Sequence, residues 1–140
     1  MKILSTFIPL LFFLVSACRT TLPVQPITPL PPSSFVTWDK KMLDLGAVPK
    51  GEKRSFFFEF TNTSKEEAQI EIVDACECTK VEFPRGIIPP GGKGKLDVVF
   101  DSTEKDSSET IGINVVFKNI GPDGYPRLEL VEYHFDLIKR

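Results

Sequence analysis

The segment GEKRSFFFEFTN, residues 51–62, repeats its polarity every two residues: Phe56, Phe58 and Phe60 fall on one face, and Ser55, Glu59 and Thr61 on the other. A helix would scatter these positions round its axis, so the stretch is a strand with one buried face. The same period recurs from Phe35 onward. "FVTW" opens a strand, and "MLDLG" sets Leu43 and Leu45 on one face before Gly46 stops it. After the turn "NTSKEE", Ile70 and Ile72 share a side, and Thr79, Val81 and Phe83 share another. Pro90 and Gly91 suit the centre of a type II turn, behind which Leu96, Val98 and Phe100 alternate. A polar hairpin loop over 101–109 precedes Ile111, Ile113, Val115 and Phe117.

Two positions break the pattern. In the last strand Leu128 and Leu130 are even-numbered, whereas Val131, Tyr133, Phe135 and Leu137 are odd, so a bulge near Leu130 is expected to restore the core face. Phe57 lies on the polar face of its strand and is expected to be covered by a loop, exposure for a partner being the alternative.

No segment from Phe35 to Arg140 carries helical periodicity. Seven or so short strands over residues 35–140 predict an all-β, immunoglobulin-like two-sheet β-sandwich. The chain has 140 residues, 41% of them apolar, enough for one core. The immunoglobulin Cys–Trp–Cys spacing is absent, because Trp38 precedes both Cys76 and Cys78. The likeness is therefore one of architecture.

The first residues carry a different signal. Met1 and Lys2 lead into the apolar run "ILSTFIPLLFFLV", closed by the small residues of "SAC". A membrane span needs about 20 apolar residues, and this run ends at Cys18 with Arg19 directly behind it. Residues 1–17 thus have the form of an export signal. "LVSAC" resembles the bacterial lipobox, which implies that Cys18 becomes a lipidated N-terminus held in a membrane and unavailable for a disulfide or a metal. Several acyl chains, at about 0.8 kcal/mol per buried methylene, anchor a protein firmly. Residues 18–34 carry prolines at 23, 26, 29, 31 and 32 and form a tether rather than a core. At about 3.1 Å per residue, such a spacer reaches roughly 50 Å from the lipid.

Removing Lys2 with the signal lowers the 17 basic residues to 16 against 19 acidic ones. That balance argues against nucleic acid as a partner.

The stretch "DACECT" sets Cys76 and Cys78 one residue apart. In an extended strand their Cα atoms would stand roughly 6.6 Å apart, beyond the common disulfide spacing, so closure requires a local bend. Four readings remain open: a structural disulfide, a redox-active dithiol, a metal site, or two small buried side chains. A crosslink over one residue removes little chain entropy. No helix N-terminus favours a thiolate here, and Asp74 and Glu77 oppose one. Two thiolates suit Cu(I), and zinc would need His134 and carboxylates as well.

Other chemistry has less support. His134, the single histidine, lies in the terminal strand and reads as structural. Glu129 and Glu132 read as a solvated strand face, and no phosphate loop, nucleophile elbow or metalloprotease helix occurs.

The combination "LDLGAVPKGEKRSFFFEFTNTS", "IVDACECTKVEFP", "IIPPGGKGKLDVVFD" and "INVVFKN" resembles an uncharacterised family of Ig-like domains found in exported proteins and lipoproteins of Gram-negative bacteria. The resemblance runs from about Leu43 to Leu137. Its signature is Cys-Gly-Cys-Thr; Glu77 stands in place of the glycine, which argues against a positive φ at the middle of the pair. Residues 101–109 also lack the family's usual glycine. Related domains serve as protein-binding adaptors, so the resemblance implies adaptor work, and the family has no established reaction.

The expectation is a lipid-anchored, non-enzymatic binding or scaffolding module of the cell envelope, at the outer membrane and facing the periplasm. It needs no cofactor or small-molecule substrate. It would meet an envelope protein through an exposed strand edge or loops, β-augmentation being one mode. The alternative is a thiol-redox or Cu(I)-handling protein that uses Cys76 and Cys78.

Overall fold

The computed structural model describes residues 35–139. The expected signal over 1–17, the expected tether over 18–34 and Cys18, the expected lipidation residue, lie outside the described residues. Eight strands follow in chain order: β1 (Val36–Trp38), β2 (Met42–Pro49), β3 (Lys53–Asn62), β4 (Ile70–Asp74), β5 (Thr79–Glu82), β6 (Lys93–Asp101), β7 (Glu109–Ile120) and β8 (Pro126–Ile138). One sheet has the order β1-β3-β6-β5 and the other β2-β8-β7-β4. Pairing is antiparallel except between β2 and β8, which run parallel. This is the two-sheet sandwich that the period-two pattern predicts, with eight strands rather than seven.

The alternation places one side of each strand in the core. Phe58, Phe60, Leu96, Val98 and Phe100 project from the first sheet, and Ile113, Val115, Phe117, Val131, Tyr133 and Phe135 from the second; all are buried. Removing one such side chain from water contributes about 1.5–3 kcal/mol. Aromatic rings join the sheets: Phe60 meets Phe117 edge-on at 5.8 Å, and Phe100 lies 5.4 Å from Tyr133 and 4.5 Å from Phe135.

The Pro90–Gly91 turn closes with a hydrogen bond from Gly92 N–H to Pro89 C=O of 2.8 Å, and Gly91 takes φ 76°. That left-handed value is what a type II turn needs at its third position. Asn62, at the end of β3, is fully buried and ties loops together. Its Nδ2 donates to the carbonyls of Glu66 at 2.7 Å and Ile88 at 3.0 Å, and its Oδ1 accepts from the Ser64 amide and hydroxyl.

Several expectations are corrected. Gly46 does not stop β2. It takes φ 62° within a register shift between Asp44 and Ala47, and the strand continues with Val48 buried where Leu43 and Leu45 had faced the core. A similar shift between Ile70 and Ile72 turns Ile72 outward to 54% exposure, so the two isoleucines do not share a side. The pairing of β7 with β8 runs unbroken from Glu109↔Phe135 to Val116↔Leu128, so there is no bulge at Leu130. Leu128 and Leu130 face solvent instead. Ile72, Val116 and Leu128 lie abreast on that outer face. Residues 102–108 form a crossover between sheets, not a hairpin, and the buried Ser102 anchors it by donating to the carbonyls of Pro49 and Glu52.

Candidate functional site

Two places combine polar groups with access. The first is the turn from β4 to β5, where the chain passes from one sheet to the other. The Thr79 amide donates to the Cys76 carbonyl at 2.8 Å, closing a β-turn with Glu77 and Cys78 at its centre. Neither central residue has positive φ, so glutamate is accommodated at the middle of the pair. The turn supplies the bend that an extended strand lacks: the Cα atoms of Cys76 and Cys78 stand 5.3 Å apart, and the two are joined as a disulfide. The Asp101 amide donates to the Cys78 carbonyl and fastens the turn to β6.

The Thr79 hydroxyl lies 3.3 Å from Cys76 Sγ, 3.5 Å from Cys78 Sγ and 2.6 Å from the Tyr133 hydroxyl. Tyr133 is fully buried on the opposite sheet, and burial pushes its phenol up to about 12, against the opposing effect of the hydrogen bond it shares with Thr79. The sequence placed both residues on core faces without linking them. The signal that could have linked them was a pair of hydroxyls at positions otherwise filled by apolar side chains. His134, next to Tyr133 in β8, points to the other face of the strand, with Nδ1 3.1 Å from Thr110 Oγ1 and Nε2 3.5 Å from Asp136. The structure therefore does not bring it to the cysteines as a fourth ligand.

The second place is the open side of β3. β1 pairs with β3 only at Phe60, Thr61 and Asn62, and the chain then leaves through Asp39 and Lys40 to enter the other sheet. The Glu59 carbonyl accepts from the Asp39 amide on this side, whereas the amide and carbonyl of Asn62 are bonded towards β6. Backbone groups alternate sides along a strand, so the N–H and C=O of Ser55 and Phe57 point to the side that no described strand occupies. Beside them runs a groove of about 450 Å³, lined by Asp39, Lys40, Leu43 and residues 55–59. Phe56 is half-buried in it. Phe57 is not covered by a loop. It is 53% exposed, with Lys95 Nζ 5.6 Å from its ring centroid. Sequence periodicity could not show this place, because it arises from the shortness of β1.

A model of the family described as "protein of unknown function (DUF1573)" matches residues 36–123, more than half of the chain. The chain belongs to the DUF1573 family. Within it, the family match takes in the Cys76–Thr79 turn and the open side of β3, and ends in the β7–β8 connection. No curated protein matches this DUF1573 chain.

Solved structures resemble its fold. The VesB protease of Vibrio cholerae is 16% identical with a TM-score of 0.59, over 73% of this chain and 32% of that one. The seventh PapD-like (ASH) domain of human CEP192 is 13% identical with a TM-score of 0.56, over 86% and 96%. A protein of unknown function from Porphyromonas gingivalis W83 is 20% identical with a TM-score of 0.59, over 73% and 46%. The DUF1573 chain thus spans about a third of the VesB chain. At these identities the likeness concerns the sandwich alone.

Proposed function

We propose that this DUF1573 protein is a lipid-anchored module of the cell envelope that binds an extended segment of a partner protein along the open side of β3. The anchor is Cys18, the spacer is the proline-rich stretch to residue 34, and the sandwich is the binding unit; no reaction is assigned to it. The observation that carries the reading is the exposed Phe57 on a stretch of β3 whose backbone donors and acceptors have no described strand beside them.

An added strand would satisfy the N–H and C=O groups of Ser55 and Phe57. Its side chains would alternate between the groove over Phe56 and Leu43 and the outer face at Phe57. The partner segment is therefore extended and apolar. The chain's own proline-rich stretch is a poor occupant, since five prolines between residues 19 and 34 lack the N–H a ladder needs. A PapD-like fold is compatible with this use.

Ser55→Pro tests it. The Ser55 amide makes no bond to β6, so proline there removes a donor from the open side and leaves the β3–β6 ladder intact. Affinity capture from solubilised membranes should recover an envelope protein with the wild type and lose it with Ser55→Pro at unchanged melting temperature. Equal recovery by both would refute strand addition.

A further inference from the structure

We propose that Cys76 and Cys78 form an exchangeable disulfide, reduced by an exported dithiol protein and re-formed by the reverse exchange with that protein's disulfide form, with the Thr79 hydroxyl holding the sulfur that leaves. The inference stands apart from the binding role of β3. It rests on the row of groups at the turn: two sulfurs, then Thr79 Oγ1 at 3.3 and 3.5 Å, then Tyr133 Oη at 2.6 Å.

Thiol–disulfide exchange depends on how well the protein bears the departing thiolate. Most exchange sites use a helix N-terminus for this, and the described residues hold no helix. Here a hydroxyl does the work. Either hydroxyl can donate in the Thr79–Tyr133 pair; with Tyr133 as the donor the Thr79 proton is free for sulfur, and a hydrogen bond to an anionic acceptor is about twice as strong as one to a neutral acceptor. The row therefore favours the thiolate over the disulfide sulfur it already touches.

The step balances as follows. A thiolate of the partner dithiol attacks Cys78 Sγ, the Cys76–Cys78 bond breaks, and its electron pair leaves on Cys76 Sγ, the sulfur nearer to Thr79. The partner's second thiol then attacks its own sulfur in the mixed disulfide and releases Cys78. Two electrons and two protons pass to this chain, and the partner becomes a disulfide. Both cysteines are half-buried rather than sealed, and the Thr79–Cys76 and Asp101–Cys78 backbone bonds hold the turn without the crosslink. A loop closed over a single residue contributes little to chain entropy, so opening it leaves the fold standing.

The test equilibrates the full chain in detergent with stepped ratios of reduced to oxidised glutathione, followed by acid quench, alkylation and intact mass, with circular dichroism on each sample. Two cysteines should become alkylatable at a definite ratio while the fold is retained. Thr79→Val should move that ratio about tenfold in favour of the disulfide, the size of one charge-assisted hydrogen bond. Thr79→Ser should restore the wild-type ratio, which a purely structural role would not require. If Thr79→Val does not fold, Tyr133→Phe carries the test and should shift the ratio about threefold in the same direction. Reduction only where the fold is lost, or equal ratios in folded variants, would overturn the proposal.

Discussion

The hydroxyls of Thr79 and Tyr133 stand 2.6 Å apart, and this single contact links β5 of one sheet to β8 of the other beside the Cys76–Cys78 turn. A buried hydroxyl without a partner carries its full desolvation cost, so neither group is expendable while the other remains. Thr79→Val and Tyr133→Phe should each lower unfolding free energy by about 1–2 kcal/mol, and the double variant should lose less than the two together. Urea denaturation checks this; additive losses would mean the two residues act independently.

Alkaline pH acts on the same bond. The phenol of Tyr133 is pushed up to about 12, while a tyrosine in the unfolded chain titrates near 10. Between those values the unfolded state has lost its proton and the folded state has kept it, so stability is full below pH 10 and falls as pH rises towards 12. Tyr133→Phe should flatten that part of the profile. Denaturation midpoints measured across this range would show it.

Asn62 provides a different kind of link, since its side chain makes hydrogen bonds to three other residues from a fully buried position. Asn62→Ala would leave the carbonyls of Glu66 and Ile88 short of a donor. The expected loss is about 3 kcal/mol, at the upper end for one substitution, with the turn over 63–67 the first to exchange amide hydrogens. A loss below that of an ordinary surface change would show that the loops hold without it.

The outward phase of β8 makes a sharp contrast. Leu130→Ala should change stability by less than about 0.5 kcal/mol, whereas Leu96→Ala, from the core of β6, should cost about 2–5 kcal/mol. Equal costs in thermal or chemical unfolding would restore the bulge at Leu130 that periodicity suggested.

That contrast also shows what periodicity can carry. In β3, β6 and β7 the alternating residues Phe58–Phe60, Leu96–Phe100 and Ile111–Phe117 mark the core, because along these residues one face of each strand is buried and the other is more open to water. It misleads in β4 and β8. There the outer face is itself partly apolar, and a leucine's hydrophobicity does not report which side its backbone presents. Ile72, Leu128 and Leu130 are the cost of assuming otherwise. The turn at Cys76 was legible as a pair of sulfurs but not as a bend, since a β-turn with negative φ at both centres needs no glycine or proline to announce it. The Thr79–Tyr133 bond joins residues 54 apart in sequence, and the open side of β3 follows from where β1 ends. Both are products of packing, which local pattern does not encode.

The binding role of β3 meets its most direct test in the cell. A photo-crosslinking phenylalanine analogue replaces Phe57, and a second strain carries it at the exposed Tyr125, in the β7–β8 connection at the end of the sandwich. Irradiation followed by mass spectrometry of the captured protein should give one dominant adduct at position 57, from an extended segment of an envelope partner, and none at 125. That adduct should disappear in the Ser55→Pro background. Adducts of equal yield at both positions, or an adduct at 57 that survives Ser55→Pro, would contradict strand addition at β3.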